Sequence, residues 1–200
     1  MTQHFFLALA GFALVSSITP GPNNLMLMAS GANFGFLRSL RHMMGIAIGF
    51  TLMVALVGIG LMRLFDLAPV SYLILKVFSV LYLAWLAWKI AHASAPDTAS
   101  RSGKPLGFFQ AAAFQWVNPK AWSMALSAIT LYAPERDLPT VLVVAAVFGL
   151  VNLPSISLWT LMGLQVRRLL QSPARLRLFN WTMALLLLAT LYPVLYPHGG

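Results

Sequence analysis

Apolar runs long enough to cross a bilayer core, about 20 residues each, follow one another along almost the whole chain. Six such runs can be read, over residues 5–30, 42–65, 69–91, 107–133, 140–164 and 178–197. Only 8% of the 200 residues are charged, against about 25% in a typical soluble domain. That leaves too little polar surface to cover a water-soluble core. The expected fold is all-α and integral to the membrane: one transmembrane domain over residues 1–200, with short loops. The start, Met1 to His4, lacks a basic n-region, and the first run is too long for a signal peptide, so it reads as a permanent span.

The distribution of charge sets the orientation. Lys and Arg number 13 and the net charge is +9, which would suit nucleic acid if the basic residues shared a face. They do not, and lie instead at the ends of apolar runs. Arg38 and Arg41 follow the first run. Lys89, Arg101 and Lys104 follow the third, and Arg167, Arg168, Arg175 and Arg177 the fifth. The even-numbered loops hold Arg63 and Arg136, beside the acids Asp66, Glu135 and Asp137. The positive-inside rule then puts the odd loops in the cytoplasm and both termini outside. There is no cysteine, so neither disulfides nor thiolate metal sites enter the reading.

The two halves share punctuation. The first run breaks at Thr19-Pro20-Gly21-Pro22-Asn23-Asn24, and the fourth at Asn118-Pro119-Lys120. The second and fifth each end in Gly-Leu before an arginine, at Gly60-Leu61 and Gly163-Leu164. A unit of three spans, used twice, must be inverted. The chain divides into repeat one (about 1–92), a cytoplasmic linker (about 92–106) and repeat two (about 107–200), with the first helix of each repeat broken. Matched proline-broken helices in inverted repeats point to a transport site near the membrane midplane. Proline removes a backbone donor, and unwound backbone survives at that depth only where protein or water covers it. Asn23 and Asn24 supply polar groups beside the break. The helix that resumes there offers free N–H groups and a positive dipole end, suited to a carboxylate.

Several motifs resemble the LysE/RhtB amino-acid exporter family. They are Ser17-Ile18-Thr19-Pro20-Gly21-Pro22-Asn23-Asn24, Gly35-Phe36, Arg41-His42-Met43-Met44-Gly45, Leu75-Lys76 ahead of Tyr82-Leu83-Ala84-Trp85-Leu86-Ala87-Trp88-Lys89, and Phe114-Gln115-Trp116-Val117-Asn118-Pro119-Lys120. The Pro-Gly-Pro-Asn-Asn form and the aromatic run are most similar to the family's cysteine/O-acetylserine exporter branch. The resemblance implies proton-driven efflux of small amino acids or their close metabolites across a bacterial inner membrane. A passive channel or a helical partner subunit is the competing reading. Partners are then an amino-acid substrate and the lipid bilayer, with no nucleic acid. Six short helices enclose little volume, which is compatible with a homodimer, and no residue fixes the oligomeric state.

Two lysines fall inside spans. An ionised lysine at bilayer centre is unfavourable by about 2.5–3.5 kcal/mol on insertion scales, and such residues mark pathways. Lys120 is far from either interface and follows the Asn118-Pro119 break. Lys76 lies roughly seven residues into its span, about 10 Å at helical rise, where a lysine can also snorkel outward. No acid lies within a span, so the candidate proton carriers are Lys76, Lys120 and His42. The candidate substrate path is Pro20, Gly21, Pro22, Asn23, Asn24, Lys76, Gln115, Asn118, Pro119 and Lys120. Gly45 and Gly49 read as a close-packing pair, and Trp85, Trp88, Trp116 and Trp122 as interface anchors. Asn152 and Pro154 offer a third break. The histidines are scattered, and a Ser123–Lys120 pair is the sole hint of a nucleophile, so no catalytic group, metal or cofactor is expected.

Overall fold

The computed structural model describes residues 2–61, 70–93, 104–170 and 172–195. Arg63, Asp66, Arg101 and the end of the sixth apolar run lie outside the described residues. Among the described residues every regular element is helical. Helices α1 (Gln3–Ile18) and α2 (Pro22–Phe34) meet at a 57° bend and together are apolar enough for one span. Helix α3 (Phe36–Leu56) continues through a wider π turn, Val57–Leu61. Helix α4 (Val70–Ala91) closes the first half. The second half begins with a short α5 (Phe108–Phe114), a 3₁₀ turn (Gln115–Val117) and α6 (Pro119–Tyr132). Helices α7 (Leu138–Arg167), α8 (Pro173–Ala189) and the one-turn α9 (Tyr192–Leu195) follow. By length and composition α3, α4 and α7 each can cross a membrane, and the bent α1–α2 pair makes a fourth. This is a multi-pass membrane protein.

Helix boundaries follow local chemistry more closely than hydropathy. Helix α3 starts at Phe36, ahead of the expected residue 42, because Gly35 takes a φ of +84° and joins α2 directly to α3. A side chain would strain that joint. Arg38 and Arg41 are thus helical. Helix α7 starts where the Asp137 carboxylate accepts the Thr140 N–H at 3.0 Å, and it meets no stop signal before Arg168. Its 30 residues span about 45 Å at 1.5 Å each, more than the hydrocarbon core of about 30 Å. Pro154 sits inside this helix without ending it, so the expected third break does not form. The paired Gly-Leu ends also differ. Gly60 takes a φ of +110° at the end of its span, whereas Gly163 is interior to α7.

Glycines set the closest helix contacts. A Cβ at Gly31 would run into the Thr160 carbonyl, and one at Gly163 into the Met28 carbonyl, so α2 and α7 touch backbone to backbone. Gly45 and Gly49 do the same for α3 against Phe108 and Ala112 of α5, as the small-residue pair suggested. The apolar interior falls into two large clusters. One gathers Leu9, Phe50, Met53, Ala125, Val144 and Phe148, and the other Met26, Met43, Ile46, Leu86, Phe114 and Leu187. Helix α3 gives its C-terminal half to the first and its N-terminal half to the second. Trp85 and Trp88 are exposed on α4, as interface anchors would be, but Trp122 is buried in the first cluster with its indole N–H on the Trp116 carbonyl at 2.9 Å.

Candidate functional site

The break between α1 and α2 strands a run of main-chain carbonyls that no helix satisfies. Each such carbonyl needs a partner, from protein or water. The structure supplies them from side chains. Thr19 Oγ1 donates to the Ser16 carbonyl at 3.0 Å. The Asn24 amide donates to the Ser17 and Thr19 carbonyls, both at 2.8 Å. The Trp159 indole of α7 donates to the Ile18 carbonyl at 2.9 Å. Lys120 Nζ of α6 donates to the Thr19 carbonyl at 2.6 Å, to Thr19 Oγ1 at 2.9 Å and to the Pro20 carbonyl at 3.3 Å. An ammonium group has three donors and no acceptor, so these contacts saturate Lys120. Its charge also lies against the negative end of the α1 dipole.

The second break is built the same way. Asn118 is extended (φ −92°, ψ 108°), and its side chain accepts the Lys120 N–H at 3.1 Å, capping α6 with Pro119 in the first turn. The N-termini of α2 and α6 therefore open onto a common cleft. Gly21, Asn23 and Asn24 line it from α2 and the loop before it, and Asn118, Lys120, Ala121 and Met124 from α6 and its cap. Ser17, Phe50 and Asn152 complete the wall from α1, α3 and α7. In this state the cleft leaves about 20 Å³, room for little more than one water. A Cβ at Gly21 would press on the flexible end of the Lys120 side chain, so a larger residue there needs the lysine to shift.

A reciprocal amide pair crosses between the halves from Asn23 of the cleft lining. Asn23 Nδ2 donates to Gln115 Oε1 at 2.8 Å, and Gln115 Nε2 returns a bond to Asn23 Oδ1 at 3.2 Å. Gln115 is fully buried and also donates to the Ala111 carbonyl at 2.9 Å. One wall atom is left over: Ser17 Oγ is buried with no hydrogen-bond partner. The cleft thus joins two helix N-termini, one ammonium and several amides, and among the described residues no acid lines it. Such a site attracts a carboxylate.

The span of the family match decides what this arrangement belongs to. Residues 14–191 match the family described as LysE type translocator, which takes in both breaks, Lys120 and His42. The chain belongs to the LysE family. It is 31% identical to a cysteine/O-acetylserine efflux protein of Klebsiella pneumoniae subsp. pneumoniae, covering 94% of this chain and 95% of that one. The protein of the same description from Salmonella choleraesuis is 31% identical, over 98% and 100%. That from Escherichia coli O139:H28 is 28% identical, over 98% and 100%. No solved structure matches the chain.

In this LysE family chain the residues expected from sequence divide into three groups. Gly21, Asn23, Asn24, Asn118 and Lys120 meet in the cleft, and Pro20, Pro22, Gln115 and Pro119 frame it. Lys76 stands apart, since α4 contributes no residue to the cleft. His42 lies elsewhere, in the wall of a larger cavity. The roles are also redistributed. Asn24 and Asn118 hold backbone with the groups expected to face a ligand. The Ser123 hydroxyl donates to the Lys120 carbonyl at 3.0 Å and is not paired with the ammonium. Phe50, Ala121 and Met124 join the site without having been singled out, and Ser17 and Asn152, noted in a motif and as a possible break, join it without having been given a role there. Of these, Ser17 and Asn152 carried a signal, as polar residues within apolar runs.

Proposed function

We propose that this protein is a secondary exporter of small amino acids, or of close metabolites of the cysteine/O-acetylserine kind, across the bacterial inner membrane. The observation that carries the reading is the Lys120 bridge. A cation from the second half occupies the carbonyls left open by the broken helix of the first. A substrate ammonium has the same charge and the same three donors, so substrate and lysine compete for Thr19 and Pro20. When a proton leaves Lys120, the neutral amine releases those carbonyls to the substrate ammonium. The substrate carboxylate then faces the N-termini of α2 and α6. When Lys120 takes a proton on the other side, it reclaims the carbonyls and expels the substrate. Mutually exclusive occupation by proton and substrate is what antiport requires.

The inverted-repeat reading is supported by the packing. The broken α1–α2 span of the first half lies against α7, and the broken α5–α6 span of the second lies against α3, its counterpart under exchange of halves. The two central helices α3 and α7 pack on each other, as do α4 and α8. With the odd loops cytoplasmic and both termini outside, a proton gradient and an outward substrate flux run through one cleft.

The test is uptake into inverted membrane vesicles, with and without an imposed proton gradient, of cysteine, O-acetylserine, serine, threonine, homoserine, leucine and lysine. Wild type should take up one group of small amino acids only when the gradient is present. Lys120→Ala should abolish that dependence. Gradient-driven uptake that survives in Lys120→Ala would remove the proposed mechanism. Equal flux with and without the gradient would identify a passive channel.

A further inference from the structure

We infer that the larger cavity, in whose wall His42 lies, is a second binding site for the amino-acid zwitterion, with His42 as its polar anchor. The inference rests on the exporter reading above. The cavity, of about 470 Å³, lies between α2, α3, α4 and the chain at 104–106. That size is within the usual range of small-molecule sites, about 300–1,000 Å³. Among the described residues, Lys89 and Lys104 line it and no acid does, a lining that favours the carboxylate end of a ligand. Both lysines belong to the odd, Arg/Lys-rich loop regions assigned to the cytoplasm. An exporter collects its substrate on that side.

His42 is the unexplained group in this wall. It is 2% exposed, and neither ring nitrogen has a hydrogen-bond partner. Ser30 and Asn33, which share the wall with it, are already paired. Ser30 and Ser39 share a hydroxyl contact at 2.7 Å, and Asn33 donates to Asn180 at 2.9 Å and to the Ala29 carbonyl at 2.8 Å. A neutral imidazole carries one donor and one acceptor. A zwitterion supplies the complement of both, a carboxylate for the N–H and an ammonium for the bare nitrogen. Both nitrogens are shielded in this state, so the contact forms when the cavity wall opens toward the ring. Helix α2 contributes to both spaces, with Asn23 and Asn24 in the cleft and Met26, Ala29, Ser30 and Asn33 in the cavity. The two sites would then serve loading and translocation in sequence.

The chain has no cysteine, so one placed at Ala93, on the cavity wall, reports on this space alone. Inverted vesicles carrying full-length Ala93→Cys are labelled with an impermeant maleimide, with O-acetyl-L-serine as the probe. The probe should slow labelling about fivefold at a few times its dissociation constant. His42→Ala should remove that protection, and His42→Gln, which keeps a donor and an acceptor, should retain part of it. Should His42→Ala fail to insert, His42→Leu refills the volume without polar atoms and carries the test. Labelling that the probe never slows would mean a cavity filled by water only, and would overturn the site. Protection by added phosphatidylglycerol alone would reassign it to a lipid headgroup, and protection that persists in His42→Ala would remove the anchor. Uptake of the same probe is measured in the same vesicles. Protection without uptake sinks the exporter reading, whereas uptake without protection sinks only the second site.

Discussion

Asn24 shows how much of this site is backbone repair. One amide group donates to the buried Ser17 carbonyl and to the part-buried Thr19 carbonyl of the broken helix, while its own residue is 3% exposed. Removing it leaves the buried Ser17 carbonyl without this donor, while the Thr19 carbonyl keeps Lys120. Asn24→Ala should therefore lower stability by about 1–3 kcal/mol, the range for an orphaned buried polar group. Asn24→Asp should do worse, because it sets a carboxylate against two carbonyl oxygens. Thermal unfolding in detergent checks both. A midpoint unchanged in Asn24→Ala would mean that another group takes over the carbonyls. Lys120 contrasts with Asn24. It shares the Thr19 carbonyl with Asn24, yet its flexible stem lets it leave, which is why the exchange of proton and substrate is assigned to it.

The elements are held by contacts of two strengths, backbone packing and terminal caps. At Gly31 a methyl group would press on the Thr160 carbonyl, and main chain cannot swing aside. Gly31→Ala should separate α2 from α7 and markedly lower the thermal midpoint. Gly11 of α1 has nothing within 4 Å, so Gly11→Ala should be neutral or stabilising by up to about 1 kcal/mol, from helix propensity. Equal effects at the two positions would mean that packing is not the cause. The cap of α7 adds a pH dependence. Hydrogen bonds from Thr140 hold the Asp137 carboxyl below its ordinary value of 3.8. A depressed carboxyl stabilises the fold fully above the unfolded value and loses that contribution as pH falls through the folded one. The midpoint difference between wild type and Asp137→Ala should thus be constant near neutrality and shrink in acid. A difference that grows in acid would reverse the sign and remove the cap as its cause.

Sequence made these elements legible in proportion to how local their causes are. The breaks at Thr19–Asn24 and Asn118–Lys120 could be placed because proline and glycine act within a turn of themselves. The start of α3 was misplaced because hydropathy does not register a single left-handed glycine at position 35. Pro154 was overread, since packing on both flanks of α7 keeps the helix continuous through it. Lys76 and Lys120 looked alike as lysines in apolar runs. What separates them is a partner about a hundred positions away, at Thr19, which no local pattern contains. His42 was marked as ionisable, but its lack of any partner is visible only once α2, α3 and α4 are assembled around it.

At the scale of the molecule, the most extensive packing crosses between the halves. Helix α7 packs on α1, α2 and α3, α5 on α3, and α8 on α4, all of them contacts between residues before and after the central linker. The polar ties run the same way: Asn23 to Gln115, Asn33 to Asn180, and Lys120 to Thr19. Each half alone would leave its buried amides and small-residue grooves facing lipid, where unpaired polar groups are most unfavourable. Neither half should fold by itself. Two plasmids, encoding residues 1–98 and 99–200, make the test direct. Expressed singly, each half should be degraded. Expressed together, they should co-purify through a tag on either one and restore gradient-dependent uptake, because the interface is made by helices and not by the connection between them. A half that is stable alone would show that three helices carry their own core. The repeats would then be separate folding units, and the interleaved packing would not be what holds the cleft together.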